Sequence, residues 1–230
     1  MKYNKYKFQI YIIWATIFLD LMGITLIIPF INELVEQLGG DERHAGLLLA
    51  SYALMQFIFA PILGKISDKY GRRPVLLFGM LGASIAFLIF SFANQLWLLF
   101  VSRMFAGISN ANISVAQAYI ADITNPKERT VKMGIIQAAF SLGFIIGFPL
   151  GGILSEQFSI STPSILASSL SMINAIFAYF LLPESLNQKN RKMESIVLNP
   201  LSIIESSILN IKNYYQNQKF KSILIIFFLY

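Results

Sequence analysis

Long apolar runs separated by short polar segments set the pattern of the chain. They lie at about residues 8–30, 45–63, 75–94, 96–121, 133–154 and 163–182. Each is near or above the ~17 residues an α-helix needs to cross the hydrocarbon core of a bilayer. The pattern predicts an all-α membrane protein with six spanning helices. A seventh run opens at Ile223 and reaches Tyr230, the start of a further helix. The longest polar segment, 183–221, begins at Pro183. It contains the turn signal Asn199-Pro200, and 201–211 reads as an amphipathic helix on the membrane surface. The expected organisation is a six-helix domain over 1–182, a cytoplasmic linker over 183–221 and a truncated seventh helix over 222–230. The first run is too long for the apolar core of a cleavable signal, so it stays in the membrane.

Composition agrees with this reading. Of the 230 residues, 56% are hydrophobic and 13% charged, against about 25% charged in an ordinary soluble domain. The mean hydropathy is +0.62. A chain this short cannot hide so much apolar surface as a soluble fold, which excludes a soluble enzyme and intrinsic disorder. The net charge of +6 does not point to nucleic acid, because the basic residues fall between apolar runs. With the N-terminus inside, sixteen of the 18 lysines and arginines lie on the cytoplasmic side. Arg43 lies outside and Arg103 within a span. Cysteine is absent and His44 is the single histidine, so thiolate or histidine-cluster metal sites are not expected. Nor is a nucleophile elbow, HExxH or phosphate-binding glycine loop present.

Several polar residues stand where lipid would penalise them. Asp20 is mid-span in the first run, where a carboxylate costs roughly 2.5–3.5 kcal/mol on insertion scales. Such residues face cavities and serve ions or protons, and Gly23 and Pro29 mark the same helix as a bending element. Arg103 in the fourth run needs a partner or water. Gly107, Asn110, Ser114 and Gln117 follow it at helical spacing, as one face fit for a water-filled passage, with interhelical hydrogen bonding in a packed bundle the alternative. Tyr52, Gln56, Gln137, Ser141 and Asn174 are candidates to complete the lining, with interhelical packing the equal alternative. In the fifth run Gly143, Gly147 and Gly151 recur every four residues, with Pro149 and Gly152 beside them. The spacing permits close helix contact and Pro149 a kink.

Between runs two and three stands Gly64-Lys65-Ile66-Ser67-Asp68-Lys69-Tyr70-Gly71-Arg72-Arg73-Pro74. It reads as an ordered loop, its glycines turning tightly and Asp68 accepting bonds from a helix start or a neighbouring Arg. The segment resembles the signature loop of the major facilitator superfamily, G-x-L-x-D-x-x-G-R-[KR], with Ile66 in the Leu place. The run from Asp20-Leu21-Met22-Gly23 to Pro29 is similar to the first helix of its drug–proton antiporters. Arg103-Met104-Phe105-Ala106-Gly107 is similar to their fourth-helix Arg motif. Gly134, Gly143, Gly147, Gly151 and Gly152 follow their fifth-helix antiporter motif. The runs 51–77 and 116–124, with Leu182-Pro183-Glu184-Ser185 and Leu198-Asn199-Pro200-Leu201, resemble the tetracycline–proton antiporter branch.

The resemblance implies the N-terminal half of a twelve-helix transporter that rocks about a midplane site. Asp68 and Arg72 would help lock the cytoplasmic side, with Gly64, Gly71 and Arg73 in the same motif. Asp20 and Arg103 would belong to the proton and substrate pathway, and helix five would form the sealing interface. The chain departs from the pattern in three places. Pro149 follows Phe148 rather than Gly147 directly, which turns a kink by about 100°. Ala86 stands where tetracycline exporters carry an Asp in the context Gly-Ala-Ser-x-Asp. The second half is not in the sequence. The expectation is proton-coupled export of small amphipathic compounds across the cytoplasmic membrane by a half-length chain. It needs no cofactor beyond the proton gradient and no metal, and its partners are a small-molecule substrate and the lipid bilayer. The alternative is a non-transporting fragment, or a split-gene half that needs a separate C-terminal half chain.

Overall fold

The structure, a computed structural model, describes residues 7–187 and residue 191. The expected surface helix at 201–211 and the seventh helix at 222–230 lie outside the described residues. The described chain is helical: α1 (Lys7–Ile27), a short 3-10 turn (Ile28–Phe30), α2 (Ile31–Gln37), α3 (Glu42–Tyr70), α4 (Arg72–Ser91), α5 (Leu96–Asn110), α6 (Ile113–Ile123), α7 (Pro126–Gln157) and α8 (Thr162–Leu181). Six helical stretches are long and apolar enough to span a membrane: Phe8–Gln37, Glu42–Tyr70, Arg72–Ser91, Leu96–Ile123, Pro126–Gln157 and Thr162–Leu181.

Three boundaries differ from the sequence pattern, each for a local reason. The first span extends through Gln37, and its α-helix gives way to 3-10 geometry at Pro29, whose ring removes a backbone donor. The fourth is not one helix. It breaks at Ala111 and Asn112, where the Asn112 amide donates to the Leu76 carbonyl of α4 at 3.1 Å. The signature segment is not a loop. Helix α3 runs on to Tyr70, α4 starts at Arg72, and Gly71 alone makes the turn, with a φ of +109° that favours glycine. Gly64 sits inside the helix with open space around it.

Helix α1 packs against α7 and α8, α4 against α5 and α8, and α3 against α5. In lipid, apolar contact alone does not drive such packing. Small residues and hydrogen bonds between helices do more. Gly143, Gly147 and Gly151 of α7 lie on α1. An added Cβ would meet Leu21 at Gly143, the Thr25 hydroxyl at Gly147 and the Leu26 carbonyl at Gly151. The Thr25 hydroxyl also donates to the Gly143 carbonyl at 3.1 Å. Ser84 and Ser168 bond each other's carbonyls reciprocally, at 2.9 and 2.8 Å, and join α4 to α8. Asn174 donates to the Thr16 hydroxyl at 3.0 Å and joins α8 to α1. Helix α7 continues unbroken through Pro149.

Two apolar clusters fill the bundle. One lies around Ile13, Leu76, Tyr119 and Ala178, the other around Leu26, Val35, Phe87 and Leu99. Outward faces carry large apolar side chains, among them Phe78, Phe92, Ile176 and Phe180. At the start of α3 Asp41 caps the helix and accepts from the His44 N–H at 3.1 Å. Hydrogen bonds from His44 hold the Asp41 carboxyl below its usual range. That cap is therefore complete above the ordinary carboxylate pKa and fades as pH falls through the lowered one.

Candidate functional site

Buried polar groups from spans one, two and four meet inside the bundle. Asp20 is 3% exposed, Arg103 2% and Asn110 1%. Helix α1 brings in Asp20, α3 brings Tyr52, and α5 brings Arg103 and Asn110. Gly107 makes the approach possible, since a Cβ there would strike the Tyr52 carbonyl. The Tyr52 hydroxyl lies beside the Asn110 amide and within electrostatic reach of both Asp20 and Arg103. Among the described residues no ion pair joins Asp20 to Arg103. Arg103 instead lies over the ring of Phe90 at 4.3 Å and that of Phe87 at 5.5 Å, and it donates to the Ser102 hydroxyl at 3.3 Å. Phe87 in turn sits against Gly23 of α1. Four buried atoms in this cluster make no hydrogen bond of normal geometry: Arg103 Nε, and the Tyr52 hydroxyl and both polar atoms of the Asn110 side chain, which lie close to one another. Such atoms are rare in a packed interior, because each carries its desolvation cost uncompensated.

Next to this cluster, between α3 and the broken fourth span, opens a cleft of about 380 Å³. Gln56, Asn110, Ser114 and Gln117 supply its polar lining, and Phe57 and Ile113 its larger apolar walls. Gln56 donates to the Asn110 carbonyl at 3.1 Å. The expected single face of the fourth span divides within α5, between Arg103 and Asn110, and not at the break. Asn110, Ser114 and Gln117 line the cleft, whereas Arg103 points to the aromatic rings of α4. Gln137 and Ser141 are exposed on α7, away from the cleft lining. Ala86 is fully buried and packs with Tyr52 and Ala106.

A second network closes the end of the bundle that carries Asp68. Arg72 pairs with Asp68 at 2.6 Å and with Asp122 of α6 at 3.2 Å, and donates to the Ser67 hydroxyl at 2.5 Å. Glu184, just beyond α8, caps the start of α4 by accepting the backbone N–H of Arg72 at 2.8 Å and of Arg73 at 3.2 Å. Carboxylates suit a helix N-terminus, where N–H groups lack partners. Arg73 reaches the Tyr179 carbonyl at 2.5 Å, Tyr119 donates to the Pro183 carbonyl at 2.7 Å, and Ser185 bonds Asp122 at 3.2 Å. Residues 183–186 are thus bound onto the helix ends.

The sequence profile of the Major Facilitator Superfamily matches residues 13–230. The chain belongs to the major facilitator superfamily. It is 40% identical over 194 residues to tetracycline resistance protein, class C, of Escherichia coli, covering 83% of this chain and 49% of that protein. It is 36% identical over 189 residues to multidrug resistance protein 2 of Bacillus subtilis strain 168, covering 82% of this chain and 47% of that protein. Among solved structures the human organic anion transporter MFSD10 (TETRAN) superposes with a TM-score of 0.74 at 25% identity, covering 85% of this chain and 52% of that one. The chain spans about half the length of the curated relatives it matches. The resemblance to the N-terminal half of the tetracycline exporters, drawn from the motifs, is confirmed. This superfamily member is a multi-pass protein of the cytoplasmic membrane.

In this facilitator chain the signature residues Asp68, Arg72, Gly71 and Arg73 come together at one helix junction, while Gly64 stands one turn before Asp68 in α3. The α7 glycines Gly143, Gly147 and Gly151 are buried on α1, while Pro149 is exposed and Gly152 only partly buried. The sequence motifs contain Asp122 and Glu184 but gave them no role, and Phe87 and Phe90 were not singled out. Asp122 and Glu184 carried a signal, as acids just outside apolar runs that face the basic Arg72-Arg73 pair. The phenylalanines carried none, because an aromatic cation acceptor looks like any other apolar residue in a spanning run.

Proposed function

We propose that this chain forms the N-terminal half of a proton-coupled exporter of small amphipathic compounds, with its N-terminus in the cytoplasm. The observation that carries the reading is Asp20, a carboxyl buried inside a spanning helix with no ion pair among the described residues. A side chain so placed can exchange a proton and change the charge of the interior when it does. The polar atoms of Tyr52, Arg103 and Asn110 give a passing proton or solute groups to bind. The relatedness to resistance proteins favours efflux of foreign compounds. Ala86 leaves the interior one acid short of the tetracycline exporters' pattern, which argues against tetracycline itself as the cargo. The Asp68–Arg72–Asp122 network is the cytoplasmic lock of this half. The complementary six helices, in the same polypeptide or another, supply the opposing wall, and the proton gradient is the energy source.

In everted membrane vesicles that contain the native protein, Asp20→Asn is expected to reduce proton-gradient-driven accumulation of a lipophilic dye at least about tenfold at an unchanged protein level. Undiminished gradient-driven transport would sink Asp20 as the coupling group. Orientation has its own test, since the chain has no native cysteine. A cysteine replacing Lys65 should react with an impermeant maleimide only in everted vesicles, and one replacing His44 only in right-side-out vesicles. The reverse pattern overturns the topology.

A further inference from the structure

The cleft beside the buried cluster has a chemical character of its own. Three of its four polar side chains, Gln56, Asn110 and Gln117, are carboxamides, and the fourth, Ser114, is a hydroxyl. No carboxylate, ammonium or guanidinium lines it. A carboxamide presents a donor and an acceptor side by side. Its complement is another donor–acceptor edge, as in an amide, lactam, imide or urea. A cation would find no counter-charge here, and an anion no cationic donor. Asn110 belongs to the lining of the cleft, and its side-chain amide is buried beside the Tyr52 hydroxyl. Gln56 donates to the Asn110 backbone carbonyl at 3.1 Å. Phe57 and Ile113 provide apolar walls for the rest of the molecule.

We infer that this cleft selects uncharged amphipathic compounds through a donor–acceptor edge of the amide or lactam kind, read by Gln56, Asn110 and Gln117. The inference rests on the transport reading for its purpose, since it names the class of cargo. Its chemistry concerns binding alone and is tested without a gradient. Three probes share one ring system. 2-Quinolinone has the N–H and C=O edge, N-methyl-2-quinolinone keeps only the acceptor, and N-methylquinolinium is a cation with neither.

The experiment is equilibrium dialysis of the purified full chain in lipid nanodiscs, corrected for uptake by empty nanodiscs. The lactam should bind saturably and about tenfold more tightly than its N-methyl form, because the methyl leaves a carboxamide oxygen unpaired. The quinolinium should bind more weakly than the lactam. Gln117→Leu, at an exposed position that does not threaten folding, and Gln56→Leu should each reduce the lactam preference to about twofold or less. Absent saturable lactam binding, equal binding of the lactam and its N-methyl form, tightest binding of the cation, or a preference that survives both substitutions would each overturn the inference. Lactam selectivity together with unimpaired transport by Asp20→Asn would leave the inference standing while the coupling reading fails. Loss of transport without lactam selectivity would do the reverse.

Discussion

Arg72→Ala is expected to destabilise the chain by about 2–3 kcal/mol and to loosen the helix junction at Gly71. Removing one partner of a buried ion pair costs roughly 3–5 kcal/mol, because the other charge stays behind unpaired. Here the cost is lower, since the side chains of Asp68 and Asp122 are 31% and 25% exposed and solvent screens part of it. The loss is still large because Arg72 serves two carboxylates and the Ser67 hydroxyl at once. Without it, Asp68 and Asp122 face each other with no cation between them. Asp122→Asn in the Arg72→Ala background should therefore recover about 1 kcal/mol, so the two substitutions are not additive. Thermal unfolding of the four proteins of this cycle, followed by tryptophan fluorescence in detergent, measures the coupling. Strict additivity would show that the two side chains do not act on each other.

The second large effect is expected at Arg103. Arg103→Ala removes a long side chain from an interior position and leaves Phe90 and Phe87 without the group that lies over them. Large-to-small changes of this kind cost about 3–5 kcal/mol when the surroundings cannot collapse. Arg103→Lys keeps the charge but loses the flat guanidinium that stacks on an aromatic face. It should recover no more than about half of that loss. A cycle with Phe90→Leu isolates the cation–ring contribution, expected at about 1–2 kcal/mol in this desolvated place. Full recovery by lysine would mean that charge alone, not the planar stack, holds the site. Because Arg103 bonds Ser102, and Ser102 donates to the Ala86 carbonyl at 3.0 Å, the loss should spread to the contact between α4 and α5.

The six spans were legible in the sequence because bilayer thickness imposes a length that apolar runs either meet or miss. Asp20 and Arg103 were legible for the complementary reason, that a charge in such a run is conspicuous. The partners of Arg103 were not. A guanidinium in a spanning helix prompts a search for a carboxylate, and Asp20 was at hand, yet the cation lies over two ring faces of α4 with its Nε unpartnered. The Asp68 network was half legible. The i,i+4 pair Asp68 and Arg72 is local, whereas Asp122 and Glu184 lie 50 and 112 residues from Arg72 and meet it only through the packing of α6 and α8. Helix continuity misled twice in opposite senses. Two glycines made a helical segment read as a loop, and unbroken apolarity made two helices read as one. Glycine permits a turn without requiring it. Asn112 ends α5 because a carbonyl on α4 is there to receive its amide.

The seam between α1 and α7 has a mechanical consequence. At Gly147 and Gly151 the two backbones touch where no methylene separates them, and Thr25 fastens one to the other. Side chains that interdigitate loosely can re-sort as helices slide. Backbones in direct contact have nothing to re-sort. The span that holds Asp20 and the largely exposed span beside it are therefore expected to move together in any rearrangement of the bundle. On the transport reading proposed above, a proton gained or lost at Asp20 would act over a surface far wider than the acid itself, with α7 as the arm that carries the displacement outward.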